Sequence, residues 1–296
     1  TRIGNKNNNE ITLLSFGGYK YKHTLVMKYA SVWSDISNKF NNYNQWIPFT
    51  DNHNHPIIIG RDENHKYNGA RAVIGGVNNH LLFITYFQKN ISVFDLNTFQ
   101  FIKHDTLPTG NYIQDHCFVS NSENGQGQEM MKTNKQNYKM LLFCEDTGLL
   151  IKYNEDNNTF QFHKLSVTSL RSYAYVCIND IILFFGGWNL NVVSQSVHKY
   201  SIRENKWMTF QKTLFSPLCH CVAIWSEEDN HIHIIGGLDD KNTEVSTHMK
   251  TKVRVWDPLQ LSKKEIKYII EYWIRTLKIK LGWIDDFDKI IMKYNS

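Results

Sequence analysis

The densest group of potential metal ligands is the tripeptide Cys219-His220-Cys221, which is followed closely by His231 and His233. Thiolates and imidazoles are the ligands that Zn²⁺ takes in structural sites. However, a β-hairpin that turns at residues 226–230 would place Cys221 opposite Ile235 and not opposite either histidine. Side chains also alternate along a strand, so His220 would point away from both cysteines. The pattern therefore favours packed strand residues over a zinc site.

Two further clusters hold side chains that bind metals or protons elsewhere. His53, His55 and His65 lie in a polar, Asn-rich insertion, and we interpret them as solvated side chains. The aspartates of residues 285–288 are placed to cap and charge the start of a final helix. The chain has no P-loop, dinucleotide fingerprint or Gly-x-Ser-x-Gly motif. We therefore predict no catalytic residue, no metal site and no cofactor.

The residues that we predict to bind a partner follow three glycine pairs. These pairs are Gly17-Gly18, Gly186-Gly187 and Gly236-Gly237, and each ends a short apolar run. Binding residues lie disproportionately on loops that a rigid scaffold positions. The predicted partner-binding residues are Tyr19, Lys20, Trp188, Asn189, Asp239 and Asp240.

The glycine pairs belong to a unit that repeats about every 50 residues. Its apolar runs are short and are bounded by Asn, Asp and Gly, which is typical of strands. They lie at residues 11–18, 80–86, 139–146, 180–188 and 230–237. A strand with a small residue precedes the last four runs, as a crowded inner strand requires. The small residues are Ala72, Cys117, Ala174 and Cys221.

Two aromatic columns follow each apolar run. Six residues separate Tyr200 from Trp207, and six separate Tyr153 from Phe160. The pentapeptide Asn-Thr-Phe-Gln-Phe also occurs twice in this column, beginning at residues 97 and 158. We therefore predict four antiparallel strands in each repeat, with aromatic residues packed between neighbouring sheets.

A glycine pair, a tyrosine and then a tryptophan, repeated over residues 11–257, resemble the kelch repeat. The resemblance implies an all-β fold, a kelch-type β-propeller of about five blades, or six, each with four strands. It also implies that loops on a propeller face bind partners. Two repeats depart from the pattern, because Thr85-Tyr86 and Glu145-Asp146 replace the glycine pair. The first repeat lacks an innermost strand in the alignment, and the last lacks an outermost strand.

The sequence changes character after the last repeat. Ser262 and Glu265 form a capping box, and an apolar face with a helical period follows up to Gly282. We therefore predict a helical C-terminal extension over residues 261–295, an α-helical hairpin. Three roles stay open for it: a cap on the propeller, a docking surface for another protein, or a membrane-surface helix.

Composition restricts the class of partner and the compartment. The chain has 296 residues, with 33 Lys and Arg against 28 Asp and Glu, and this mild excess does not predict nucleic-acid binding. Five cysteines, an odd number that lies mostly in apolar runs, predict reduced thiols in a cytoplasmic protein. No run reaches the roughly 18 apolar residues of a membrane helix, so we expect no membrane-spanning segment, and the surface helix left open for the tail is the one form of membrane contact considered. We expect a monomer or a part of a larger multidomain assembly.

The resemblance implies a non-catalytic protein–protein interaction module, a scaffold or adaptor that binds another protein. The alternative is a propeller enzyme of the galactose-oxidase type, or a carbohydrate-binding propeller. That enzyme requires a copper site with two histidines, a tyrosine and a cysteine-linked tyrosine. In this sequence the repeat columns already account for the tyrosines and cysteines through packing.

Overall fold

Five antiparallel sheets follow one another along the chain and form the five blades of a β-propeller. The computed structural model describes residues 2–3, 11–18, 20–30, 43–60, 65–67, 69–120, 137–189, 192–227, 229–257 and 270–274. Nearly all regular structure in these residues is strand, which confirms the predicted all-β propeller.

The strands have the following bounds. The first blade contains β1 (Arg2–Ile3), β2 (Ile11–Gly17), β3 (His23–Tyr29) and β4 (Ile47–Pro48). The second contains β5 (Arg71–Gly75), β6 (Leu81–Tyr86), β7 (Asn90–Asp95) and β8 (Gln100–Thr106). The third contains β9 (Cys117–Ser120), β10 (Asn137–Cys144), β11 (Thr147–Asn154) and β12 (Thr159–Leu165).

The last two blades complete the series. The fourth contains β13 (Ala174–Ile178), β14 (Ile181–Phe185), β17 (Val197–Ser201) and β18 (Lys206–Thr209). A small ribbon of β15 (Trp188–Asn189) and β16 (Val192–Val193) lies in its loop. In the described residues the fifth sheet has three strands: β19 (Val222–Ser226), β20 (His231–Ile235) and β21 (His248–Lys252). A 3-10 turn at Val253–Val255 follows.

The second strand of each central blade is apolar on both faces because it packs against two neighbours. In β6, Leu81 and Phe83 pack against the third blade, whereas Leu82 and Ile84 pack against the first. The alternation follows from the period of two along a strand. Four such apolar clusters join the five blades in succession. The other face of the fifth blade leaves Val222 and Ile224 exposed.

The glycine pairs are required by backbone conformation and by close approach. Gly186 and Gly187 have φ of +65° and +97°, a region that favours glycine. A Cβ on Gly186 would collide with the carbonyl oxygen of Leu218, and one on Gly187 would lie 2.7 Å from that of Arg171. Both carbonyls belong to linkers between blades. The glycine pair therefore lets the blade-to-blade linkers approach the second strand.

The aromatic columns pack as the repeat predicts. Tyr200 pairs with Trp207 across β17 and β18, and their ring centroids are 5.3 Å apart. The hydroxyl of Tyr200 donates a hydrogen bond of 2.6 Å to the side chain of Asn205, in the turn between these strands. Tyr153 and Asn158 repeat this bond at 2.7 Å. Each tyrosine therefore fixes both the blade contact and the turn beside it.

Three details differ from the sequence analysis or lie beyond the described chain. β1 pairs with β2 as the first blade's inner strand, so the prediction that this strand is missing was wrong. The β19–β20 hairpin is shifted by one residue, since Val222 and not Cys221 lies opposite Ile235. Residues 270–274 are helical, while the rest of the predicted hairpin at 261–295 lies outside the described residues. Within the described ranges, no helix is long and apolar enough to span a membrane.

Candidate functional site

The linkers between blades all bend in the same way just before they enter an inner strand. The residue two positions before β5, β9, β13 and β19 has a left-handed φ, between 48° and 68°. These residues are Gly69, Asp115, Ser172 and His220. Left-handed φ is uncommon in residues with a Cβ, so its repetition marks a sharp bend built into the fold. The bends of the last three linkers meet at one end of the central channel.

An open cavity of about 610 Å³ lies where these linkers meet. Its walls come from three consecutive linkers and from the loops between the second and third strands of blades two, three and four. The lining residues are Phe87, Asn111, Tyr112, Gln114, Asp115, Glu145, Arg171, Ser172, Trp188 and His220. A concave site with converging polar groups is the usual place for ligand binding.

Each carboxylate of the cavity lies beside a basic side chain. Glu145 Oε1 is 3.4 Å from Arg171 Nη1, and Glu145 Oε2 accepts a hydrogen bond of 3.3 Å from Asn111. Asp115 Oδ2 is 3.9 Å from His220 Nδ1. The arginine side chain is 51% exposed, so the pair contributes little to folding stability. Its main effect is to hold both groups at the cavity wall.

Aromatic side chains form the apolar part of the lining. The rings of Phe87 and Tyr112 are 5.3 Å apart, and Tyr112 is 60% exposed. Trp188 is held through its backbone, which exchanges hydrogen bonds of 2.7 and 3.2 Å with Arg171. This isolated bridge ties the loop of the fourth blade to the linker that precedes the blade.

The structure places one of the predicted partner-binding residues at the cavity, since Trp188 lines it. Asn189 is the next residue along β15 and is not among the described lining residues. Lys20 is exposed in the loop of the first blade and is not among the described lining residues. Tyr19 lies outside the described residues.

The two remaining predicted residues, Asp239 and Asp240, lie in the equivalent loop of the fifth blade. Neither belongs to the described lining. Asp239 Oδ1 accepts hydrogen bonds of 2.9 and 2.8 Å from the backbone amides of Lys241 and Thr243. This carboxylate therefore stabilises its own turn.

The sequence analysis missed the linker residues of the cavity. Asp115, Arg171 and His220 come directly before inner strands, and Glu145 replaces a glycine in a tight hairpin between β10 and β11. Their shared position next to the small-residue column is a signal in the sequence. Their convergence depends on how the blades are arranged around the channel, which the repeat pattern does not specify.

The cysteines and histidines considered for zinc are dispersed. Cys219 and Cys221 are buried, and burial raises the pKa of both thiols. His233 pairs with His248 of β21 at 2.8 Å between ring nitrogens. Among the described residues, no three His, Cys, Asp or Glu side chains are grouped to hold a metal ion.

Comparison with known proteins identifies the fold alone. No family model and no curated protein matches the sequence. The solved structure of YjhT, a propeller, is similar over 83% of this chain and 79% of that chain, with a TM-score of 0.52 and 13% sequence identity. At this identity the similarity supports the β-propeller fold and does not carry function.

Proposed function

We propose that this propeller is a non-catalytic protein-binding module that holds a segment of a partner protein in the cavity at the channel mouth. The observation that carries the proposal is the lining itself. Tryptophan, tyrosine and arginine dominate the energetics of protein interfaces, and Trp188, Tyr112 and Arg171 lie together on one concave surface. Tyr112 and Arg171 are more than half exposed and are thus available for contact.

The backbone around the cavity supports tight recognition because it is already fixed. The amide of Gly187 donates a hydrogen bond of 2.7 Å to Leu218 O, and the amide of His220 donates one of 2.8 Å to Ser172 O. With the Arg171–Trp188 bridge, these bonds connect the loops and linkers of successive blades. A preorganised surface loses little conformational freedom when it binds.

The thiols nearest the cavity favour binding over covalent catalysis. Burial raises the pKa of Cys144 to about 11, and Cys144 donates a hydrogen bond to Gln114 O. Burial also raises the pKa of Cys219. Since the thiolate is the nucleophile, both cysteines are weak nucleophiles near neutral pH.

We assign the propeller to the kelch type and to the cytoplasm as parts of the same proposal. Three glycine pairs with positive φ and the Tyr200–Trp207 contact support the kelch type. All five cysteines are free thiols, which supports a reducing compartment.

Carbohydrate binding is the second candidate, and the same cavity supports it. Phe87, Tyr112 and Trp188 offer flat apolar surfaces, while Asn111 and Gln114 offer amide groups. A few polar groups within an apolar lining are typical of small-molecule sites. If this second candidate were catalytic, the protein would be a propeller enzyme of the galactose-oxidase type.

A peptide library and a glycan array separate the two candidates. We expect peptides selected from a phage-displayed random library to bind the wild-type propeller and to lose at least about tenfold in affinity with Trp188→Ala. Trp46→Ala is the matched control, because Trp46 is an exposed tryptophan outside the described lining. The proposal is contradicted if the selected peptides bind Trp188→Ala and wild type with equal affinity. Binding on the glycan array without peptide binding favours the second candidate.

A further inference from the structure

Arg71 carries a partly buried positive charge at the start of the inner strand of the second blade. It is the first residue of β5 and lies on the same side of the strand as Val73, which packs toward the third blade. The side chain is only partly exposed. Its Nη1 approaches the carbonyl oxygens of Gly69 and Ala70 at 3.5 and 3.3 Å, which are long distances for charged hydrogen bonds.

The charge of Arg71 has no acidic partner within hydrogen-bonding distance among the described residues. Within the described ranges, no Asp or Glu carboxylate forms an ion pair with Arg71. By contrast, Arg171 has Glu145 at 3.4 Å, and the exposed Arg203 has Asp180 at 3.2 Å. A partly buried charge without a counter-charge is unfavourable, because charges removed from water are normally paired.

The neighbours of Arg71 are neutral. His116 is fully buried, and burial and then the nearby Arg71 charge lower its pKa to about 3. Burial raises the pKa values of Cys117 and Tyr175, so both stay protonated near pH 7. The positive charge of Arg71 lies close enough to Tyr175 to lower the pKa of its hydroxyl, against the larger opposing effect of burial. Among the described residues, none of these three neighbours of Arg71 therefore carries a negative charge near pH 7.

The polar layer formed by Arg71 and these neighbours is also incomplete in its hydrogen bonds. His116 Nε2 lies 2.6 Å from Thr85 Oγ1, which in turn reaches Arg71 O at 3.4 Å. His116 Nδ1 is buried and has no hydrogen-bond partner in the described part of the chain. Buried polar atoms without a partner are rare in folded proteins and call for an explanation.

The layer lies next to the cavity. Gly69, two residues before Arg71, occupies the linker position that Asp115, Ser172 and His220 occupy at the cavity. A Cβ on Gly69 would lie 3.5 Å from the Gln114 side chain and 3.6 Å from an oxygen of Asp115. Arg71 therefore begins its strand two residues after a position that lies close to two of the lining residues.

We propose that Arg71 is an anion-binding residue next to the cavity, where it takes a carboxylate of the bound ligand with the Tyr175 hydroxyl as a second donor. A planar carboxylate matches the two parallel N–H groups of a guanidinium. This assignment rests on the proposed function, because the carboxylate would come from an Asp or Glu side chain of the partner segment. The carboxylates of Asp115 and Glu145 in the cavity lining each have a basic neighbour, which reduces their repulsion of a ligand carboxylate.

Simple anions test the residue without any peptide. Sodium acetate and inorganic phosphate are titrated separately into wild-type protein at constant ionic strength set with chloride, and binding is followed by NMR chemical shifts and by the thermal midpoint. We expect acetate to bind and to raise the midpoint, and Arg71→Gln to weaken acetate binding at least about tenfold. Arg71→Lys should weaken it severalfold, since a lysine provides a point charge. Arg203→Gln is the matched control and should bind acetate like wild type.

Equal acetate affinity in wild type and Arg71→Gln overturns the proposal, and so does binding of phosphate without acetate. If Arg71→Gln fails to fold, Tyr175→Phe replaces it, with a twofold to fivefold loss of affinity expected.

The selected peptides give an independent arm. We expect the selected peptides to contain Asp or Glu. Replacing that acidic residue in the peptide should weaken its affinity for the wild-type protein but should not weaken its affinity for Arg71→Gln. Peptides that bind without any acidic residue overturn the carboxylate assignment. Acetate binding without peptide binding leaves the anion site standing and contradicts the proposed protein-binding function.

Discussion

Glu145 and Arg171 form an ion pair of 3.4 Å that links the hairpin of the third blade to the linker leading into the fourth. The pair is a boundary contact, because the backbone of Arg171 also bonds to Trp188 of the fourth blade. It connects the charged part of the cavity to its aromatic part.

The pair should matter more for binding than for stability. We expect Arg171→Met to change the free energy of unfolding by less than about 1 kcal/mol, since both side chains are partly exposed. The same change should weaken ligand binding at least about tenfold, as removal of an arginine from the centre of an interface does. Urea unfolding and peptide titration measure the two effects. A large stability loss with unchanged affinity contradicts this expectation.

Three glycines should form a graded series of stability losses. Gly186→Ala places a Cβ against Leu218 O at a positive φ, and we expect a loss of about 2–4 kcal/mol. Gly236→Ala has the same φ of +65° with its nearest neighbour atom 4.0 Å away, so we expect about 1 kcal/mol. Gly110→Ala meets nothing within 4 Å and is the control. Chemical denaturation gives the order, and equal losses at Gly186 and Gly110 would show that close approach is unimportant.

The cluster around Phe184, which joins blades three and four, should dominate local stability. Phe184 is fully buried and lies 4.9 Å, ring to ring, from both Tyr173 and Trp207. We expect Phe184→Ala to cost about 3–5 kcal/mol. Phe215→Ala is the control, because Phe215 is 96% exposed. Thermal unfolding compares the two variants, and similar midpoints would contradict the assigned packing.

Mild acid should destabilise the propeller through His116. Its pKa is about 3 in the folded protein, below the ordinary value of 6.5, because burial disfavours the charged imidazole. The unfolded chain therefore binds the extra proton first. Stability is full above about pH 6.5 and falls by roughly 1 kcal/mol per pH unit below it, down to the folded pKa.

The slope of unfolding free energy between pH 6.5 and 5 tests this assignment. His116→Gln should reduce the slope relative to wild type. His198 also has a pKa lowered by burial and contributes in the same direction, so the difference between wild type and His116→Gln is the relevant quantity. An unchanged slope in His116→Gln contradicts the assignment.

The fold was predictable because packing leaves periodic marks in the sequence. Leu81 to Ile84 must be apolar on both faces, and Gly186 must lack a side chain, so each blade repeats a recognisable pattern. Most of the residues that line the cavity do not follow a periodic pattern of this kind in the sequence. Asp115, Arg171 and His220 are far apart in sequence and meet only because successive linkers turn toward one channel. Asp239 has the right place in its repeat, yet its carboxylate is occupied by the turn around it.

The bend before each inner strand has the same backbone conformation in four linkers but a different residue in each. Glycine, aspartate, serine and histidine occupy one backbone conformation at positions 69, 115, 172 and 220. The same bend therefore carries four different residues, while the space around it differs, since Ser172 is buried and a Cβ on Gly69 would lie 3.5 Å from the Gln114 side chain. Asp115 and His220 are the positions where an engineered substitution would change the chemistry of the cavity with the bend already formed by a residue that has a Cβ.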